Sequence, residues 1–232
     1  WSEFYSWELC CAAQVRGEES VDLPAPAMGL GAESLTAVME RHGSDKVVNG
    51  YCPTYEVLLH GVRVRRLLEV GIGTTIHSTL SSMAHVANYR PGSSLRAWRD
   101  YFGDAMVYGM DVAPDTMFSE ARIRTALADS SEQFHVESVM VSWGFAIGEG
   151  PTFDLVIDDG LHTPEAQLAT LANLFPYVAR GAFYIMEDLN MGKPMLQRGG
   201  KALSRIVGSS SYFFVDNFLN ETSGKLRHGS GL

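Results

Sequence analysis

Apolar residues along the chain fall into two alternating patterns: short uninterrupted runs, and stretches in which they recur every three or four positions. Residues 66–73, RLLEVGIG, form a run bounded by charge and glycine, which predicts a strand buried on both faces and ended by a glycine turn. Residues 106–112 give a second run ending at Asp111, and Ile123, Thr125 and Leu127 alternate before Asp129 as a third. Residues 153–157 and 182–186 predict a fourth and a fifth strand, the one delivering Asp158 and Asp159, the other Glu187 and Asp188. Residues 212–218 read as a late strand.

Helical spacing fills the intervals. Leu35, Val38 and Met39 predict a short helix over 34–41, with Gly43 where a left-handed cap belongs. Ser94 is placed to cap a helix ending near Tyr101, residues 132–145 read as helical, and Pro164 opens a helix carrying Leu168, Leu171, Leu174 and Phe175. Residues 1–32 show no sustained period and read as an irregular or partly helical lead-in; residues 33–232 read as one domain whose carboxyl end is expected to be cut short. Strands alternating with helices predict an α/β, doubly wound, mostly parallel Rossmann-like sheet whose ligands lie beyond the carboxyl ends of the strands.

Composition narrows the partners. A net charge of -9 leaves no overall field for nucleic acid, and the densest basic stretch, Arg63, Arg65 and Arg66, reads as the solvated start of a strand. Three cysteines form neither a metal spacing nor an even disulfide set, and no apolar run approaches the roughly 20 residues that span a bilayer. The expectation is a cytoplasmic protein that binds neither nucleic acid nor membrane, with homo-oligomerisation left open.

The chemistry concentrates at the strand ends. Gly71 and Gly73 supply a turn that lets a ligand approach the backbone, and Asp111 ends the second strand where a carboxylate can accept from both hydroxyls of a ribose. Asp129 is placed to receive an adenine amino group. A dinucleotide fingerprint would need glycine or alanine at position 76, which is isoleucine, so a nicotinamide-dependent oxidoreductase is the weaker alternative. IDDGLH at 157–162 and MEDL at 186–189 bring acids to two strand tips. Carboxylates so placed repel unless a cation joins them, so Asp159, Glu187 and Asp188 read as a site for a hard divalent ion, Mg2+ first. His162, three residues past Asp159, reads as the general base, taking the proton of an acceptor hydroxyl acidified by the ion.

These residues carry a resemblance. From about Gly43 to Leu189 the chain resembles the metal-dependent sugar O-methyltransferases that tailor macrolides and other glycosylated natural products. The matching motifs are Gly43-Ser44-Asp45-Lys46 with Tyr51 and Tyr55, LLEVGIG, PGSSLRAWRDYF at 91–102, Gly109-Met110-Asp111, IDDGLH, Leu174-Phe175-Pro176 and MEDL. The resemblance implies a class I methyltransferase fold, S-adenosylmethionine and Mg2+ as cofactors, and transfer to a sugar hydroxyl of a small glycoside. It implies Asp159, Glu187 and Asp188 as metal ligands, His162 as base, and Glu69, Gly71, Gly73, Ser94, Asp111, Asp129 and Asp158 on the cofactor side. The chain departs from the family pattern at Leu161, Ser130 and Ala182, none of them an implied ligand. Two alternatives share these features: a catalytically degenerate methyltransferase fold acting as a binding module, and a hydroxylase-like relative with the same carboxylates.

Overall fold

The computed structural model describes residues 33–77, 81–86, 88–189 and 205–206, together with the backbone of three short strands at 8–10, 212–216 and 227–229. Five parallel strands form the centre of one sheet: β2 (Arg66–Val70), β3 (Met106–Asp111), β5 (Ile123–Leu127), β6 (Phe153–Asp158) and β7 (Val178–Met186). Their spatial order is β5-β3-β2-β6-β7, so the chain starts in the middle and winds outward to both sides. That order puts the reversal point between β2 and β6, where a crevice opens at the carboxyl ends. The doubly wound α/β sheet read from the sequence is the sheet observed.

Antiparallel additions flank this centre. β4 (Ser119–Glu120) pairs with β5 at one edge; at the other, β1 (Glu8–Cys10) pairs with both β7 and β8 (Tyr212–Asp216), and β9 (Arg227–Gly229) follows. A strand thus lies inside the stretch read as irregular or partly helical, because its backbone completes the hydrogen bonding of the β7 edge. The rest of residues 1–32 and residues 217–218 of the late strand lie outside the described residues.

Both faces of the sheet are covered. On one, α1 (Leu35–His42), α2 (Cys52–Leu58) and α3 (Ser93–Tyr101) bury Leu67, Val107, Leu155, Ile157 and Ile185 with Tyr55 and Trp98. On the other, α4 (Gln133–Trp143) and α5 (Pro164–Leu174) cover Leu68, Tyr108, Val156, Tyr184 and Met186. Successive strand residues alternate between these two cores, which is why the runs read as apolar without interruption.

The helix limits follow local chemistry. The Ser34 side chain accepts from Ala37 N and Gly43 closes α1 at φ 70; Thr163 caps α5, with Pro164 in the first turn. The α3 cap differs from expectation. Gly92, at φ 81, precedes the helix and Ser94 lies inside it, because Pro91 and Gly92 already turn the chain and Ser93 Oγ donates back to Arg90 O. α2 had no counterpart in the apolar pattern, since within CPTYEVL the buried residues are Cys52 and Tyr55. Among the described residues no helix is long and apolar enough to cross a membrane.

Candidate active site

The carboxyl tips of β2, β6 and β7 meet under the segment that joins α1 to α2. Backbone bonds fix the tips: Gly71 N donates to Met110 O, Asp159 N to Val70 O and Glu187 N to Asp158 O, extending the ladders past the strand ends. Gln167 of α5 donates through Nε2 to Glu187 O at 3.0 Å. Gly71 sits at φ 83, and a Cβ there would lie 1.9 Å from Asp159 O. The glycine turn and the acidic tip of β6 are therefore in direct backbone contact, which only a residue without a side chain permits.

The predicted acids gather here in two groups. Asp159, His162 and Asp188 each offer one ligand atom, all within 4.8 Å of one another. His162 Nε2 lies 3.8 Å from Asp159 Oδ1 and 3.6 Å from Asp188 Oδ2, and its Nδ1 is buried without a hydrogen-bond partner among the described residues. Asp188 adopts φ 51, an uncommon conformation for a residue other than glycine that aspartate tolerates better than most. Glu187, by contrast, turns inward: Oε2 is 2.5 Å from Lys46 Nζ, and Oε1 accepts from the Tyr55 hydroxyl. Tyr51 donates to Asp188 Oδ1.

Lys46 is the residue that the spacing of acids did not reveal. Its ammonium is 1% exposed and reaches Glu69 Oε1 at 3.1 Å and Asp159 Oδ2 at 2.9 Å as well as Glu187. Burial pulls its pKa down, but Asp159, Glu187 and Glu69 more than offset this and hold it well above the usual lysine range. Burial drives the Glu187 carboxyl well up, with Lys46 opposing, and raises Asp188 together with the neighbouring Asp159 charge. The only sequence trace of this arrangement was the presence of Lys46, Tyr51 and Tyr55 among the resemblance motifs.

A divalent ion fits this donor set. Asp159 and Asp188 present hard oxygens around a common point, and such an ion relieves the repulsion between them, which adds to burial in raising the Asp188 carboxyl. The residues expected on the cofactor side are placed less uniformly. Asp111 Oδ2 accepts from Ile72 N at 2.7 Å and Oδ1 from Ala113 N at 2.8 Å, tying the glycine turn to β3. Two amides of that turn are thus already engaged within the sheet. A Cβ at Gly73 would meet the Tyr89 hydroxyl at 2.3 Å, so the space beside the second glycine is lined by Tyr89. Ser94 is buried in the first turn of α3 beside Glu69, whose carboxyl burial raises to about 7 against the pull of Lys46. Asp129 Oδ1 accepts from Ser131 N and Oγ, closing the turn that follows β5.

Asp158 stands apart from the others. It shares a face of β6 with Val156, accepts from the Tyr184 hydroxyl at 3.2 Å and from Gly160 N at 3.3 Å, and is 1% exposed. The structure puts it under α4 and α5, across the sheet from Asp159 and Lys46. Burial pushes its pKa up to about 7, only partly opposed by the bonds from Gly160 and Tyr184. A raised folded-state pKa means that this carboxyl contributes stability below the ordinary value of 3.8 and loses it as pH rises toward 7. Asp158→Asn should flatten that part of the stability profile. Relative to wild type it should gain at pH 8, by at most about 4 kcal/mol, in urea unfolding at pH 5 and pH 8. An unchanged difference between the two pH values would contradict the burial argument.

Comparison with known proteins bears on the family and the fold. No family model matches the chain. Over 168 residues it is 33% identical to the 8-demethyl-8-alpha-L-rhamnosyl tetracenomycin-C 2'-O-methyltransferase of Streptomyces olivaceus, covering 72% of this chain and 40% of that protein. Over 124 residues it is 32% identical to the mycinamicin VI 2''-O-methyltransferase of Micromonospora griseorubida, covering 53% and 27%. The solved structure of the MycE methyltransferase from the mycinamycin pathway, in complex with Mg, SAH and mycinamycin VI, superposes with a TM-score of 0.54 at 26% identity, over 68% of this chain and 40% of that one. The chain spans less than half the length of these relatives. With the parallel sheet, its reversal point and these matches together, the chain is a homologue of the sugar O-methyltransferases of natural-product pathways, built on the class I methyltransferase fold.

Proposed function

We propose that this protein is an S-adenosylmethionine-dependent, Mg2+-assisted O-methyltransferase that methylates a sugar hydroxyl of a small glycosylated natural product. One observation carries the reading: the Gly71 turn, where the donor would lie, abuts the backbone of Asp159, and Asp159 faces His162 and Asp188. Donor site and acid cluster share one mouth. The homologues' names, and the Mg and SAH bound to MycE, support the same cofactors and acceptor class.

In this reading Asp159 and Asp188 would hold the ion at the mouth, with Glu187 behind them as a third carboxylate, paired with Lys46 and Tyr55. The ion supplies Lewis acidity that makes the acceptor hydroxyl easier to deprotonate. His162, 31% exposed in its side chain, would take the acceptor hydroxyl's proton on Nε2. S-adenosylmethionine, when bound, would supply the methyl group and depart as S-adenosylhomocysteine, and Asp159 and Asp188 would stabilise the imidazolium formed. Glu69, Gly71, Gly73, Ser94, Asp111 and Asp129 we assign to the donor side, and Asp158 to the support of β6. Leu161, 56% exposed between Gly160 and His162, offers an apolar contact to the acceptor. The free, buried Cys52 and the net charge of -9 support a cytoplasmic enzyme acting on a small molecule rather than on nucleic acid.

Calorimetry with S-adenosylhomocysteine tests the donor site directly. Saturable one-to-one binding is expected; no heat from folded protein would remove the proposal. Binding without methyl transfer to any member of a glycoside panel would leave the binding-module reading instead.

A further inference from the structure

Nothing in the proposed reaction uses Lys46, yet it is among the most completely buried large side chains of the described residues. Its Nζ joins acids from three adjacent strand tips: Glu69 of β2, Asp159 after β6 and Glu187 after β7. Among the described residues no other lysine or arginine forms an ion pair with these three. Tyr55 donates to the remaining Glu187 oxygen, and Tyr51, whose N–H donates to Lys46 O at 3.0 Å, donates to Asp188. One short segment, residues 46–55, thus supplies a cation and two hydroxyls to the acid cluster.

Two of the acids that Lys46 holds, Asp159 and Glu187, are also assigned to the divalent ion. Resting on that assignment, we propose that Lys46 is an internal competitor of the metal: it neutralises Asp159 and Glu187 when the ion is absent and opposes the ion when it binds. The ammonium is a positioning group, not a ligand. Asp159 shows the division within one carboxylate, with Oδ2 on Lys46 and Oδ1 toward His162. A lysine so placed keeps buried acids paired whenever no ion is bound, where unpaired they would repel each other across the strand tips. It also makes the ion exchangeable, because a fixed positive charge a few ångströms away weakens cation binding.

The test is a Mn2+ titration followed by the electron paramagnetic resonance signal of the free ion, with thermal unfolding of the same samples. Wild type should bind one Mn2+. Lys46→Met should bind it at least about tenfold more tightly and unfold at lower temperature without metal, whereas Lys46→Arg should remain near wild type in affinity. A lysine that merely packs would lower the melting temperature and leave Mn2+ affinity unchanged or weaker, and that result would overturn the inference alone. Should Lys46→Met not fold, the milder Lys46→Gln keeps a hydrogen-bond donor beside the acids and removes only the charge; it should also tighten Mn2+, and failure to do so counts equally against the proposal. If wild type binds no Mn2+, the metal assignment falls and takes this inference with it.

Discussion

His162→Ala is expected to lower kcat by about 10²- to 10⁴-fold, the usual contribution of a positioned general base, while the dissociation constant for S-adenosylhomocysteine stays near wild type. The reason is position. His162 sits outside the sheet on the turn between β6 and α5, half-exposed, with Nε2 toward Asp159 and Asp188, and neither α5 nor the glycine turn depends on it for a cap. Removing the imidazole therefore takes away a proton acceptor without disturbing the strand tips. The comparison to make is single-turnover methyl transfer against calorimetric cofactor binding. A parallel loss of both would show that His162 supports the fold of the mouth rather than the chemistry.

Gly71→Ala is expected to do the opposite and damage binding, metal affinity and stability together. The added methyl group would meet the Asp159 carbonyl carbon at 2.6 Å and its oxygen closer still, at a residue whose φ of 83 already disfavours a side chain. Left-handed strain and a steric clash each cost about 1–3 kcal/mol, so a loss of about 2–6 kcal/mol, upward of about 4 °C in Tm, is anticipated. Relief requires moving Asp159, and that displaces a carboxylate of the acid cluster. Gly50→Ala provides the control: its φ is 72, but nothing lies within 4 Å of the new carbon, so only the conformational cost of about 1 kcal/mol remains. Equal melting temperatures for the two variants would refute the contact argument.

The parts legible in the sequence were those governed by local pattern. Uninterrupted apolar runs mark β2, β3 and β6 to within a few residues, and the rule that ligands gather at carboxyl ends points to Asp159, Glu187 and Asp188. What the pattern could not carry was pairing over distance. Lys46 lies 113 residues from Asp159 and 141 from Glu187, and no spacing rule connects them. Nor could it tell that Asp158, read with the cofactor-side residues, faces the opposite layer from Asp159. A strand buried on both sides is apolar at every position, so the alternation that would reveal facing is erased. β7 is longer than its apolar core because its pairing with β6 resumes at Val178, beyond a register shift that reading residues 182–186 did not anticipate.

The alternation at the end of β6 has one last consequence. Asp158 anchors in the layer beneath α4 and α5, while its immediate neighbour turns to the opposite layer and to Lys46. Inserting or deleting a single residue within Phe153–Asp158 would exchange the two, burying the carboxylate proposed for the ion and sending the structural one to the mouth. Length variation among related chains should therefore be absorbed in the exposed connection at 146–150 just ahead of β6, and the strand itself should keep one invariant length.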